Sequence, residues 1–194
     1  MALQLVWFKR DLRLVDHRPL IQALALGDVL PLYIVEPDLW RQQDVSGRQW
    51  EFCREALLDL QQAMAALGQP LVIRCGDAVA VLERARRQLG VSGLWSHEET
   101  GNDWTYSRDR RVAAWARERS IPWREIPQFG VIRPLRTRGG WARRWEERMA
   151  EPITPAPTHL EPLQGVSPGE LPSAADLGLC LLYTSDAADE VQCV

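Results

Sequence analysis

The chain has 194 residues, a formal net charge of -3, and a composition that is 46% hydrophobic and 25% charged. This is the make-up of an ordinary globular protein long enough to bury a real core, and it offers no global basic field for wrapping nucleic acid. No apolar run approaches the roughly 20 residues of a membrane span. Residues 1–4 lack a secretory signal, and four cysteines without a close pair argue for a reducing, cytoplasmic setting and against disulfide or metal frameworks.

Residues 3–8 are apolar except for Gln4, which predicts a strand covered on both faces, as in a parallel sheet. The charged run Lys9-Arg10-Asp11 follows at its carboxyl end, the edge where open α/β sheets bind ligands. Asp16 suits an N-cap, and Pro19 falls in the first turn of the helix behind it. Residues 29–35 predict a second buried strand. Ser46 and Gln49 have the spacing of a capping box. Behind them Phe52, Ala56, Leu57, Leu60, Met64 and Leu67 recur at helical spacing up to Gly68. A third strand is expected over 71–75, then a helix capped by Asp77, carrying Val81, Leu82, Ala85 and Leu89 and ending at Gly90. Residues 93–97 predict a fourth strand. A helix over about 103–119 follows, with Trp104, Val112, Trp115 and Ala116 as its stripe, and 122–126 make a short fifth strand.

Such alternation through short links predicts an α/β fold: a Rossmann-like, doubly wound, five-stranded parallel sheet with helices on both faces. From residue 127 the pattern changes. Arg133, Arg136, Arg138, Arg143, Arg144 and Arg148 crowd together, and Trp141, Trp145 and Met149 share one helical face. Prolines at 152, 155, 157, 162, 168 and 172 then describe a semi-rigid connector. The organisation expected is an α/β domain over 1–130, an arginine-rich helix leaving it over 131–150, an interdomain linker over 151–179, and a tail over 180–194.

No strand is followed by the G-x-G-x-x-G of dinucleotide domains or by a phosphate loop. The sheet edge instead offers Lys9, Arg10 and Asp11, then Glu36, then His97, Glu98 and Glu99, with Arg48 and Trp104 opening two of the helices. The candidate binding set is Lys9, Arg10, Glu36, Arg48, Glu98 and Trp104. An aromatic plate with carboxylates and an arginine suits a flat heterocycle such as a pterin or flavin; caps and surface ion pairs are the plainer alternative. His17 and His159 stand alone and read as surface residues. His97 has no partner at ligand spacing, so no metal is expected. No nucleophile elbow supports hydrolase chemistry. Trp7, Trp95 and Trp123 lie in strands and read as core. The arginine-rich helix reads as a solvated face.

The residues carry more than their physics. Val6-Trp7-Phe8-Lys9-Arg10-Asp11-Leu12-Arg13-Leu14-Val15-Asp16 resembles the amino-terminal signature of the DNA photolyase/cryptochrome family, with Lys9 where an arginine is commoner. Similar blocks follow at 47–77, at 97–109 and at Gln128-Phe129-Gly130-Val131, and the likeness runs to Leu179. The resemblance implies the amino-terminal α/β part of a two-domain flavoprotein, holding an antenna chromophore. A larger helical domain, absent here, would bind FAD, dock damaged DNA and act on a flipped pyrimidine dimer. The whole protein would then be a carbon–carbon lyase, with a non-repairing blue-light photoreceptor as the alternative, and this portion would have no activity alone. Folate-binding members carry an Asn-Glu pair where Trp104 and Thr105 stand here, which favours a flavin or deazaflavin antenna over folate. A free-standing α/β nucleotide- or stress-type module is disfavoured by the missing phosphate loop and the outgoing linker. Residues 180–190 resemble a translated library-adapter tract, so 180–194 is expected to be a non-native tail.

Overall fold

In the computed structural model, which describes residues 2–133, 137 and 139–179, five strands lie side by side and every pairing is parallel. They are β1 (Leu3–Phe8), β2 (Val29–Val35), β3 (Val72–Cys75), β4 (Val91–His97) and β5 (Trp123–Ile126), in the order β3-β2-β1-β4-β5. The crossovers carry α1 (Arg18–Leu24), a short α2 (Pro37–Trp40) with α3 (Gly47–Ala66), α4 (Ala78–Leu89) and α5 (Asp103–Glu118). The winding changes direction at β1, so its carboxyl end opens on the crevice where such sheets take ligands.

Period-two alternation divides the core into two layers. Val6, Phe8, Tyr33, Val35 and Trp95 face α1 and α3, with Leu20, Trp50, Leu57 and Met64 opposite them. Leu5, Trp7, Leu30, Leu32, Ile34 and Leu94 face α4 and α5, with Val81, Leu82, Val112 and Trp115 opposite. The one polar residue of β1, Gln4, is buried but satisfied, accepting from Trp95 Nε1 at 2.8 Å and donating to Ser92 Oγ at 2.9 Å.

Local chemistry accounts for most boundaries. The capping box at Ser46 and Gln49 forms as the spacing predicts, Asp77 caps α4, and Gly90 ends it in the left-handed region at φ 68°. Two expectations are corrected. Asp16 does not cap α1: it takes a positive φ of 55°, and His17 caps instead, with Nδ1 accepting from the Leu20 amide. Phe52 is not core but 76% exposed, and Trp50 fills the inward position. The proline-rich connector lies along the domain. Leu160 N donates to Leu67 O at 2.8 Å, and Ile73 N on the outer edge of β3 donates to Pro168 O at 2.6 Å. Leu160, Ala174 and Leu177 are buried in the α1/α3 layer. The stretch therefore covers an edge strand that would otherwise present unpaired backbone groups.

α6 (Trp141–Met149) buries none of its residues, and Trp141, Trp145 and Met149 are each roughly half exposed along one side. Trp145 rests against the Cα of Gly130, where any added Cβ would collide with its ring. Arg136, Arg138 and the tail 180–194 lie outside the described residues, and so do the expectations that fall on them.

If residues 151–179 are part of the fold, Leu160→Ala should cost about 2–5 kcal/mol, as for other buried leucines. A free connector would cost nothing at that position. Urea unfolding of the two proteins side by side decides between them.

Candidate functional site

α5 places the centre of the site. Asn102 caps it by accepting from the Thr105 amide at 3.1 Å. The helix then turns Thr105, Arg108, Asp109, Val112, Trp115 and Ala116 inward. That spacing is one helical face. Its second half is apolar and packs on the sheet; its first half reaches past the strand ends and carries charge.

Arg108 is 3% exposed and gathers three carboxylates. Nη1 donates to Glu36 Oε2 at 2.7 Å, Nη2 to Glu99 Oε2 at 3.0 Å, and Nε to Asp109 Oδ1 at 2.9 Å. Lys9 Nζ donates to Asp109 Oδ2 at 3.0 Å. The Arg108 guanidinium also sits 4.7 Å from the ring centre of Trp7. Two cations thus face three carboxylates. Burial works against the Arg108 charge, but the surrounding carboxylates outweigh it and push its pKa up. Glu36 goes the other way. Burial outweighs its single bond to the shared guanidinium, and its pKa is pushed up to about 7.

Beside this cluster, between the ends of β1 and β2 and the start of α3, lies a cavity of about 440 Å³. Trp7, Phe8, Tyr33, Trp40 and Phe52 give it aromatic walls; Lys9, Arg10, Glu36, Glu99 and Arg108 give it charge. Trp40 meets Trp50 edge-on with centroids 4.9 Å apart. Tyr33 Oη lies 3.4 Å from Cys53 Sγ, and burial raises the pKa of both groups. The volume and the apolar lining with a few convergent polar groups are those of a small-molecule site.

Of the residues singled out in the sequence, Lys9, Arg10 and Glu36 line this cavity. Arg10 holds Glu99 only loosely, at 3.8 Å, and keeps its side chain 64% exposed. Arg48 is exposed in the first turn of α3 and does not line the cavity, whereas its neighbour Gln49 does. Glu98 points elsewhere and lies 3.7 Å from Arg133, while Glu99, one residue on, turns inward. Trp104 sits beyond Glu36, in a separate hollow of about 250 Å³ with Asp38, Arg41 and Asp77. Arg108, Asp109 and Glu99 carry the centre; Glu99 is named at the sheet edge but left out of the candidate set, and Arg108 and Asp109 are not in it either. The signal for them was present: Arg108 and Asp109 lie on the face that Val112, Trp115 and Ala116 define.

The histidines correct a second expectation. His17 is fully buried, not on the surface, and it meets His97 on one carboxylate. Because the Leu20 amide donates to His17 Nδ1, the ring proton is on Nε2 and is given to Asp11 Oδ2 at 2.8 Å. His97 Nδ1 reaches the same oxygen at 2.5 Å, and the Lys9 amide donates to Asp11 Oδ1 at 2.8 Å. Burial disfavours the Asp11 charge, but the two imidazoles win and hold its pKa well below the carboxylate range. Burial in turn pushes His97 down, against the pull of Asp11. The potential ligand atoms of these three residues lie within 4.8 Å of one another. A cation on His17 Nε2 would strip that ring of its last proton, so the set is complete as a hydrogen-bonded knot. It anchors the loop after β1 beneath the site.

An α/β domain with a ligand cavity at the carboxyl edge of its sheet is the class that fold and site define. The sequence profile of the DNA photolyase family matches residues 4–158, and the chain belongs to that family. It is 30% identical to a cryptochrome DASH of Gloeobacter violaceus over 95% of this chain and 40% of the relative. It is 32% identical to a deoxyribodipyrimidine photo-lyase of Vibrio cholerae over 71% of this chain and 31% of the relative. The chain therefore spans less than half the length of these relatives. Among solved structures, the fold matches a class III photolyase of Agrobacterium tumefaciens with a TM-score of 0.74 at 22% identity, over 96% of this chain and 39% of that one. It also matches an archaeal photolyase of Sulfolobus tokodaii, described with two FAD molecules and a novel light-harvesting cofactor, with a TM-score of 0.67 at 20% identity over 91% of this chain and 41% of that one. Among the described residues no helix is long and apolar enough to cross a membrane.

Two outcomes follow from these electrostatics. A carboxyl whose folded pKa lies above its unfolded value stabilises fully below the unfolded value and loses that contribution as pH rises to the folded one. Glu36 moves from 4.5 to about 7. Relative to Glu36→Gln, the native protein should therefore lose up to about 3 kcal/mol of stability as pH rises through that window. Urea midpoints of both proteins at several pH values read the difference directly. Asp11→Ala should cost about 3–5 kcal/mol at neutral pH by stranding two buried imidazoles, and a calorimetric scan measures it.

Proposed function

We propose that this chain is the α/β part of a light-driven DNA-repair flavoprotein, and that its cavity holds an antenna chromophore of the flavin or deazaflavin type. The observation that carries the reading is the cavity itself, an aromatic-walled pocket at the carboxyl edge of the sheet with a few charged side chains in its lining. Tyr33, Trp40 and Phe52 offer flat apolar surface to a ring system, and Arg10 leaves a cation at the rim for a polar tail. Lys9, Arg10 and Glu36 are the binding residues in this reading.

A reduced folate is the poorer fit. Thr105 lines the cavity, but its hydroxyl donates to Asn102 O at 2.9 Å, and Trp104 lies outside. Neither residue supplies the amide and carboxyl that folate-binding relatives carry at these positions.

Residues 1–130 form the antenna domain in this reading, and 131–179 lead to the flavin domain. That further helical domain would carry the FAD, which supplies the electron for splitting a dimer in damaged DNA, while this part gathers light for it. The half-exposed side of α6 suits contact with such a domain.

The test is a fluorescence titration of the purified chain with riboflavin, a deazaflavin and a reduced folate, alongside a dimer-repair assay under blue light. Saturable binding of the flavin or deazaflavin in preference to folate is expected, with no stoichiometric FAD and no repair. Tight folate binding overturns the antenna assignment, and measurable repair overturns the division of labour between the two parts.

A further inference from the structure

The cavity has an interior and a mouth. Trp7, Phe8, Glu36 and Arg108 line it from buried positions, whereas Arg10, Asp44, Gln49 and Phe52 line it from exposed ones and mark where it opens. Residues 41–46, which join α2 to α3, form one side of that opening, and the amino end of α5 forms the other. A single hydrogen bond joins the two sides. Asn102 is fixed by its own helix: Oδ1 accepts from the Thr105 amide at 3.1 Å, and its carbonyl accepts from the Thr105 hydroxyl at 2.9 Å. That leaves Nδ2 to donate to Asp44 Oδ2, at 2.7 Å. The positive end of a helix also favours a carboxylate there. Among the described residues, every other hydrogen bond of 41–46 stays within residues 37–50. Val45 packs partly against the α1/α3 layer, but Asp44 beside it is exposed.

We propose that residues 41–46 are a flap over the cavity, and that the Asp44–Asn102 bond is the latch that holds it closed. A segment tied down by local bonds opens as a unit once its one distant bond lets go. The latch is exposed at its Asp44 end, so water competes for it and its net worth is small. The α5 side stays in place, because Arg108 ties that helix to Glu36 and Glu99. The inference rests on the chromophore-site reading above only for what passes the flap; the opening itself is a property of the chain. Asp44 then sets how fast a bound ring exchanges with solution. It has little bearing on how tightly the ring is held, since the latch closes the empty and the filled cavity alike.

Cys53 lines the same cavity and reports on the flap without any ligand. Its thiol, half-buried beside Tyr33, should react with fluorescein maleimide in proportion to the open population, while the exposed Cys75 reacts at a rate the flap does not touch. Peptide mass spectrometry of the labelled 194-residue chain separates its four cysteines. Asp44→Ala should label Cys53 about fivefold faster, the effect of losing one exposed hydrogen bond, and Cys75 at the native rate. Asn102→Ser keeps a cap oxygen for the Thr105 amide but loses the donor to Asp44, so it should match Asp44→Ala. The double variant should label Cys53 no faster than either single one. An unchanged Cys53 rate, a rise shared by Cys75, or additive effects of the two changes overturns the latch and leaves the cavity as a chromophore site. Excess riboflavin should shield Cys53 in the native chain. Labelling indifferent to riboflavin overturns the flavin reading of the cavity and leaves the latch standing.

Discussion

One buried guanidinium holds the ligand edge together. Arg108 joins α5 to the end of β2 through Glu36 and to the loop after β4 through Glu99, while its own neighbour Asp109 holds Lys9 at the end of β1. Three strand ends and one helix are thereby fixed to one another where an α/β sheet has no hydrogen-bond ladder left to do it. Arginine suits this position because its planar fork can serve several carboxylates at once, and because it sheds water more readily than an ammonium group. The arrangement is not a stability device in the simple sense. Buried charges lose more hydration than a modest Coulomb gain returns, and such clusters persist when they fix geometry that a functional site needs.

Excess negative charge is the second constraint. With two cations and three carboxylates in the same buried space, one carboxyl must be unfavourably placed, and Glu36 is the one with a single ion-pair partner. Glu36 stands at the boundary between the cluster and the cavity. Among the described residues its second oxygen has no partner, and that lone oxygen and the raised pKa are two signs of the same burial.

The fold was legible because its signals are local. Buried strands show as short apolar runs, helix starts as Ser46 and Asp77, and a helix stop as Gly90. The first helix cap was misread because a distant contact decides it. Asp16 and His17 compete for one cap, and composition favours the aspartate. The winner is decided by Thr154, 138 residues away, whose amide engages the Asp16 carboxylate while the Asp16 amide donates to Thr154 O. The site was half legible for the same reason. Lys9, Arg10 and Glu36 follow strands directly, so the topology delivers them to one place. Glu98 follows β4 and Arg48 opens α3, but both turn away, because direction at the end of an element depends on the exact residue. Glu99 and Gln49 show how a step of one position decides it.

The covered edge of β3 connects the architecture to the proline content. A parallel sheet needs both flanks closed, and here the β3 flank is met by a chain segment rich in proline, not by another strand. Proline cannot donate to a ladder, so Pro168 contributes only its carbonyl, which accepts from Ile73 N. Gly169 follows it at φ 80°, and its Cα passes so close to Ile73 O that any side chain would collide. The segment can therefore seal the edge at one residue and cannot propagate pairing beyond it. Stiff, unable to extend a sheet, and fixed at Leu160 by burial, it carries the chain past the domain along one defined path. The composition that reads as a semi-rigid connector in the sequence is thus, over these residues, a strap along the domain.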